Sequence, residues 1–169
     1  MKFQIRPEER EDQQAIYTVT EAAFEGKPYA DGTEAPIIDE LRKDGDLTIS
    51  LVASVAGKIV GHAAFSPALI GNASSNWYGL GPVSVAPDLQ KQGIGQALIK
   101  EGLAMLLKQS AAGCLLIGDP NYYSRFGFRG DCGLSYEDLT PSLVQALAFG
   151  SSLPSGEVRF APAFYKFGA

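Results

Sequence analysis

Residues Gln90–Gln96 read "QKQGIGQ" and lead into the apolar-periodic run "ALIKEGLAMLLK". Two glycines one residue apart at the start of a helix make a ready anion site. The first amides of a helix have no partner within it, and the helix dipole leaves partial positive charge there. Glycine lets the backbone come close to an anion and take up turn geometry. The amides of Gln92 to Gln96 can therefore fan around a phosphate or a pyrophosphate. No Gly-Lys-Ser/Thr follows, so no hydroxyl is set to hold magnesium as in a nucleotide-hydrolysing loop. Gln96, Ala97 and Leu98 stand where a dinucleotide fingerprint needs its third glycine. Taken alone, the two glycines suit equally a helix start that needs only a tight turn.

Other reactive side chains are few. His62 is the single histidine, and Cys114 and Cys132 are the only cysteines. That set has no zinc spacing, so no metal is expected. Cys114 opens "CLLIG" and reads as a buried thiol. A net charge of −5 argues against a nucleic-acid binder that relies on a basic face, and it is compatible with a cationic substrate such as an amine. No apolar run approaches the roughly 20 residues of a membrane helix. The N-terminal "MKFQIRPEEREDQQ" has no apolar stretch of the signal-peptide kind, so a cytoplasmic location is the expectation.

The elements that must position these residues follow from periodicity. "KFQIR" (2–6) alternates as a strand, after which Pro7 is expected to open a helix over roughly 8–24 with Ile16, Val19 and Ala23 on its apolar stripe. "EGKPYADGT" (25–33) is a loop, and a second helix runs over roughly 34–44 to stop near Gly45. "LTISLVASV" (47–55) and "KIVGHAAFSPA" (58–68) read as an antiparallel hairpin around Ala56-Gly57, with a turn at 71–76. "WYGLGPVSVA" (77–86) is a third strand, interrupted by Gly79, Gly81 and Pro82, so a bulge or a splayed strand is expected. The helix over about 93–108 and the wholly apolar "GCLLIG" (113–118) then complete a parallel strand–helix–strand unit. A short helix around "PNYYSRF", a strand near 143–148 and an extended "SGEVRFAPAF" finish the chain. At 169 residues, without repeat or linker, the sequence suits one domain over 1–169.

The stretch "VSVAPDLQKQGIGQALI" resembles the acetyl-coenzyme A signature of the GNAT family of N-acetyltransferases. That signature has an extended V-x-V, a Pro-containing turn, Gln/Arg-x-x-Gly-x-Gly/Ala and an apolar helix. Its six core positions here are Gln90, Lys91, Gln92, Gly93, Ile94 and Gly95. "GDPNYYSRFGF" (118–128) and "GEVRFAPAF" look like a bacterial subgroup of predicted acetyltransferases. The resemblance implies an α/β fold: a GNAT-like domain whose mixed, mostly antiparallel central sheet carries a splayed parallel strand pair and flanking helices. It also implies direct transfer of an acetyl group from acetyl-CoA, as co-substrate, to a primary amine of a small molecule or a protein. Expected partners are that acceptor and at most a second copy of the chain, with no nucleic acid and no membrane.

Site roles follow from the resemblance residue by residue. The strand before the signature, Val83, Ser84 and Val85, offers a backbone N–H to the thioester oxygen, where negative charge develops. Its backbone also pairs with the pantetheine arm. Gln90 to Gln96 hold the pyrophosphate, with Lys91 near a 3′-phosphate or simply solvated. Family members place a tyrosine four residues before the Gly-Phe pair, which makes Tyr123 the general acid for the leaving thiolate. Tyr122 is its rival, about 100° away around a helix. No carboxylate lies on the strand before the signature, so the base is open: His62, Glu25, Asp31, Glu34 or a water chain. The acceptor pocket is expected from Phe24, Tyr29, Glu34, Trp77 and Tyr78, of which the four aromatics also suit core packing. A competing reading is a non-catalytic acyl-CoA-binding sensor or interaction domain.

Overall fold

In the computed structural model, which describes residues 1–72, 76–150 and 152–167, the chain runs in order through the following elements. These are β1 (Gln4–Pro7), α1 (Gln13–Phe24), α2 (Glu34–Asp44), β2 (Ile49–Val55), β3 (Lys58–Ile70), β4 (Trp77–Val85), α3 (Ile94–Lys108), β5 (Gly113–Ile117), α4 (Pro120–Tyr123), β6 (Leu134–Ser135), β7 (Val144–Ala148) and β8 (Gly156–Arg159). Strand order is β1-β2-β3-β4-β5-β7, with β8 against the end of β3 and β6 against β8. The β1–β2, β2–β3, β3–β8 and β5–β7 pairs are antiparallel, whereas β4–β5 and β6–β8 are parallel. This is the mixed sheet with flanking helices that the resemblance implied. Two compact units share it: Met1–Phe65, Gly81–Gly102 and Pro162–Ala169 form one, and Ser66–Leu80 with Leu103–Ala161 form the other.

In the first unit the hairpin joins β2 to β3 as expected. Val55 pairs with Lys58, and both Ala56 and Gly57 take positive φ (51° and 81°). Two positive φ values in a two-residue loop match the right-handed twist of the strands. The inner face of β3 then alternates. Ala64 joins Val52, Ile16 of α1 and Ile38 of α2 in a buried cluster. Gly61, on the other face, faces α3: a Cβ there would sit 3.2 Å from both Ile94 and Leu98. Four residues on, the Phe65 ring lies against Gly102 of the same helix. The alternation thus buries both faces of β3. Each large side chain in such a cluster contributes roughly 1.5–3 kcal/mol on burial.

The helix starts need one correction. Pro7 does not open a helix; it is the last residue of β1, paired with Leu51 on the outermost strand. Pro is tolerated on an edge because no ladder donor is needed there. The chain then makes a short 3-10 turn at Arg10–Asp12, and α1 begins at Gln13. Asp12 carries the start, accepting from the Glu9 N–H (2.7 Å) and from the Arg6 guanidinium (2.7 and 3.1 Å). The second helix ends as expected, with Gly45 in the left-handed region.

In the second unit β4 pairs with β5 over Trp77↔Gly113, Tyr78↔Cys114 and Gly79↔Leu115. The parallel ladder ends there, although β4 runs on to Val85 and β5 to Ile117. The short ladder bears out the irregular strand expected from Gly79, Gly81 and Pro82. β5 pairs with β7 along its whole length, from Gly113↔Ala148 to Ile117↔Val144. Trp77, Leu115, Val144, Ala146 and Val158 share one buried cluster. The tail is not merely extended: β8 pairs Val158 and Arg159 with Ile70 and Leu69, and Leu134 and Ser135 form an unexpected parallel bridge to it. Of the turn expected at 71–76, residues 73–75 lie outside the described residues. No helix among the described residues is long and apolar enough to cross a membrane.

Candidate functional site

The glycine turn of the first unit is built by backbone. After a 3-10 turn at Pro87–Leu89, Lys91 and Gly93 take positive φ (65° and 91°), and α3 begins at Ile94. The helical ladder opens with the Ala97 N–H donating to the Gly93 carbonyl (3.1 Å), so the amides of Ile94, Gly95 and Gln96 come before it. Nothing lies within 4 Å of where a Gly93 Cβ would stand. The space at that position is open, and the glycine is required by its φ rather than by crowding. Lys91, Gln92 and Gly93 are exposed, whereas the Ile94 side chain is buried and anchors the turn.

Within this set several side chains are committed inward. The Gln90 side-chain amide donates to the Val85 carbonyl (3.0 Å), tying the turn to the end of β4. The Ser84 hydroxyl is buried beside Thr20 of α1 (3.3 Å). Ser84 and Ile94 therefore have only backbone to offer a ligand, and Gln90 acts as a brace.

His62 is placed otherwise than a base requires. It is fully buried in β3, its Nε2 is 2.8 Å from the Ser50 hydroxyl, and its Nδ1 has no partner. The Ser50 hydroxyl in turn donates to Glu8, which the Arg42 guanidinium grips twice (2.8 and 2.9 Å). Burial pushes the Glu8 carboxyl up, but the hydrogen bonds from Arg42 and Ser50 outweigh it and hold it below its ordinary value. Burial lowers His62 to about 4, with Glu8 opposing and Arg42 assisting. A neutral imidazole sealed from solvent is a structural member of this network. The expected role as base is corrected accordingly. The network was not legible in the sequence because its bonded partners are 12 to 42 residues apart; only the register Val52↔His62 and Ser50↔Ala64 puts Ser50 and His62 on one face.

The expected acceptor residues divide. A cleft of about 360 Å³ between the end of α1 and the start of α2 is lined by Phe24, Ala30 and Ala35 together with Glu21, Glu25, Lys27 and Glu34. Phe24 and Glu34, both expected in an acceptor pocket, line this cleft, and so does Glu21, one helical turn before Glu25. Tyr29 is 73% exposed, with its ring edge-on to Phe24 at 6.2 Å. Asp31 is held ionised by hydrogen bonds from Thr33 and so is a poor proton acceptor. Trp77 is corrected to a core residue. It is 3% exposed, and its indole lies over Gly113, where a Cβ would come within 2.4 Å of it. Tyr78 is half-buried in the second unit, paired with Cys114, whose thiol burial pushes up.

The tyrosine pair lies in the second unit at the corner after β5. Asp119 caps α4 by accepting from the Asn121 N–H (2.9 Å), and its carbonyl accepts from the Tyr123 N–H (3.0 Å). Tyr122 is occupied: Arg125 stacks over its ring at 4.4 Å and bonds its carbonyl (2.8 Å). Burial raises the Tyr122 hydroxyl pKa, with Arg125 opposing. Tyr123 packs its ring against Gly118 and edge-on to the buried Phe128 (6.2 Å, 79°). No group of three or more His, Cys, Asp or Glu placed to hold a metal occurs among the described residues.

The mixed sheet with its short parallel ladder and the glycine turn opening α3 agree with the resemblance read from the sequence. The GNAT acetyltransferase domain model matches residues 46–130, and the chain belongs to that family. A GNAT family acetyltransferase from Brucella melitensis, solved in complex with acetyl-CoA, is 47% identical with a TM-score of 0.86, covering 96% of this chain and 98% of that one. Escherichia coli YhbS, solved with CoA, has a TM-score of 0.90 at 31% identity, covering 99% of this chain and 94% of that one. In sequence, YhbS of Escherichia coli K12, described as an uncharacterized N-acetyltransferase, is 37% identical over 103 residues. That match spans 60% of this chain and 62% of YhbS, less than two thirds of that relative's length.

Proposed function

We propose that this protein is an acetyl-CoA-dependent N-acetyltransferase acting on a primary amine of a small molecule or protein, as one domain over residues 1–169 in the cytoplasm. The open backbone cradle at the start of α3 carries the reading: Gly93 has φ 91° with nothing within 4 Å of its missing Cβ, at the signature positions. The 47% identical Brucella relative was solved with acetyl-CoA, which supports taking the same ligand here. β3, β4 and α3 each run unbroken from one compact unit into the other, which supports a single domain.

Acetyl-CoA supplies an acetyl carbon already activated as a thioester. In the proposal the amides of Gln92 to Gln96 bind the pyrophosphate. The backbone of Val83–Val85 donates to the thioester oxygen as it gains charge. The Tyr123 hydroxyl gives its proton to the leaving sulfur as the new C–N bond forms and the C–S bond breaks. The amine must lose a proton to become nucleophilic; Glu25 and Glu34 line the cleft and remain candidates, directly or through water. Three carboxylates against one lysine in that cleft suit an acceptor that arrives as a cation.

Two measurements test this. Saturating acetyl-CoA should raise the melting temperature, because a ligand that binds only the folded state stabilises it. Free CoA should then be released when a mixed library of primary amines is added. A thermal shift without CoA release would favour the binding module; no shift at all would remove both readings.

A further inference from the structure

We propose that Gln145 is a positioning residue for the Tyr123 hydroxyl, acting through Gly118; this deepens the acetyltransferase reading and rests on it. Gln145 stands in β7, in the run "LVQALA", and is wholly buried. Its Nε2 donates to the Gly118 carbonyl at 2.9 Å, while its Oε1 has no partner. Burying an amide with an unmatched acceptor costs stability that a leucine of similar size would not incur. The β5–β7 ladder ends at Ile117↔Val144, so Gly118 is the first residue beyond it. Its N–H donates to the Leu143 carbonyl (3.1 Å), and its carbonyl takes the Gln145 side chain. The corner is thereby held at both ends of one residue.

The next contact is with the ring of Tyr123. A methyl at position 118 would sit 2.6 Å from Cε2 and 3.0 Å from Cδ2 of Tyr123, inside the distance real Cβ atoms keep. Gly118 is not among the residues with positive φ, so space and not backbone conformation demands the glycine. The ring also meets Tyr122 (4.9 Å, 90°) and Phe128 (6.2 Å, 79°) edge-on. Moving Gly118 moves the surface on which the ring rests. A general acid loses efficiency steeply with misplacement, roughly a hundredfold for about 1 Å in severe cases.

The test is a double-mutant cycle in the full chain, with CoA release from acetyl-CoA in the presence of the amine library as the readout. Gly118→Ala should lower kcat about tenfold or more and Gln145→Leu about three- to tenfold, with KM for acetyl-CoA unchanged. In a Tyr123→Phe background neither change should cost more than a factor of about two, since no hydroxyl is left to misplace. Equal losses in both backgrounds, or none in the parent, would overturn the proposal. If Tyr123→Phe alone leaves kcat intact, the general-acid reading itself fails, a separate outcome visible in the same data. A second readout needs no turnover. With 3-fluorotyrosine incorporated in place of Tyr123, both changes should shift its fluorine resonance in the CoA-bound protein, and an unmoved resonance would count against the proposal.

Discussion

The glycine turn at the start of α3 and the tyrosine corner after β5 solve different problems with different materials. The turn is backbone: positive φ at Lys91 and Gly93, amides ahead of the helical ladder, and a buried Ile94 as anchor. As proposed above, anion binding there is expected to survive most side-chain changes on the exposed rim. The corner is side chain: one ring held by Gly118, Phe128 and Tyr122, with a buried Gln145 behind it. Under the proposed function, donor binding should therefore tolerate variation in side chains, whereas donor activation should depend on a few contacts distant in sequence.

Substitutions at the turn break that comparison most sharply. Gly93→Val should abolish the acetyl-CoA-dependent rise in melting temperature, an affinity loss of about a hundredfold or more, because it strains a φ of 91° and fills the open approach. Lys91→Ala should weaken binding only about two- to fivefold, the effect of one solvated charge. Equal losses from both would show that the turn works through side chains after all.

An effect comparable to the Gly93 change is expected of the buried network. His62 is depressed to about 4 when folded and titrates near 6.5 when unfolded, so the unfolded chain binds more protons between those values. Stability contributed by neutral His62 is fully present above pH 6.5 and is lost as pH falls toward 4. The loss should approach roughly 3 kcal/mol in denaturant titrations. His62→Gln should flatten that part of the profile. An unchanged slope would mean that other groups set it.

Much of the scaffold was legible because periodicity and turn residues act locally. Ala56-Gly57 marked the hairpin, Gly45 the end of α2, and the apolar "CLLIG" the covered strand. The signature turn was legible for the same reason, since its backbone conformation follows from glycine spacing. Pro7 misled because its fixed φ suits a helix start and an edge strand alike; pairing with Leu51 decided it. His62 and Trp77 were misplaced because only register and packing reveal which face of a strand is sealed. Gln145 and Glu21 went unnoticed because their partners, Gly118 and the cleft, are set by tertiary structure.

In the proposed reaction acetyl-CoA is bound by the turn and consumed through Tyr123. The most direct test compares CoA release by the parent protein and by Tyr123→Phe at saturating acetyl-CoA with primary amines, alongside the thermal shift of each. Release by the parent should fall about a hundredfold in the variant, with the same acetyl-CoA-dependent thermal shift in both. Equal release from the two proteins would contradict it.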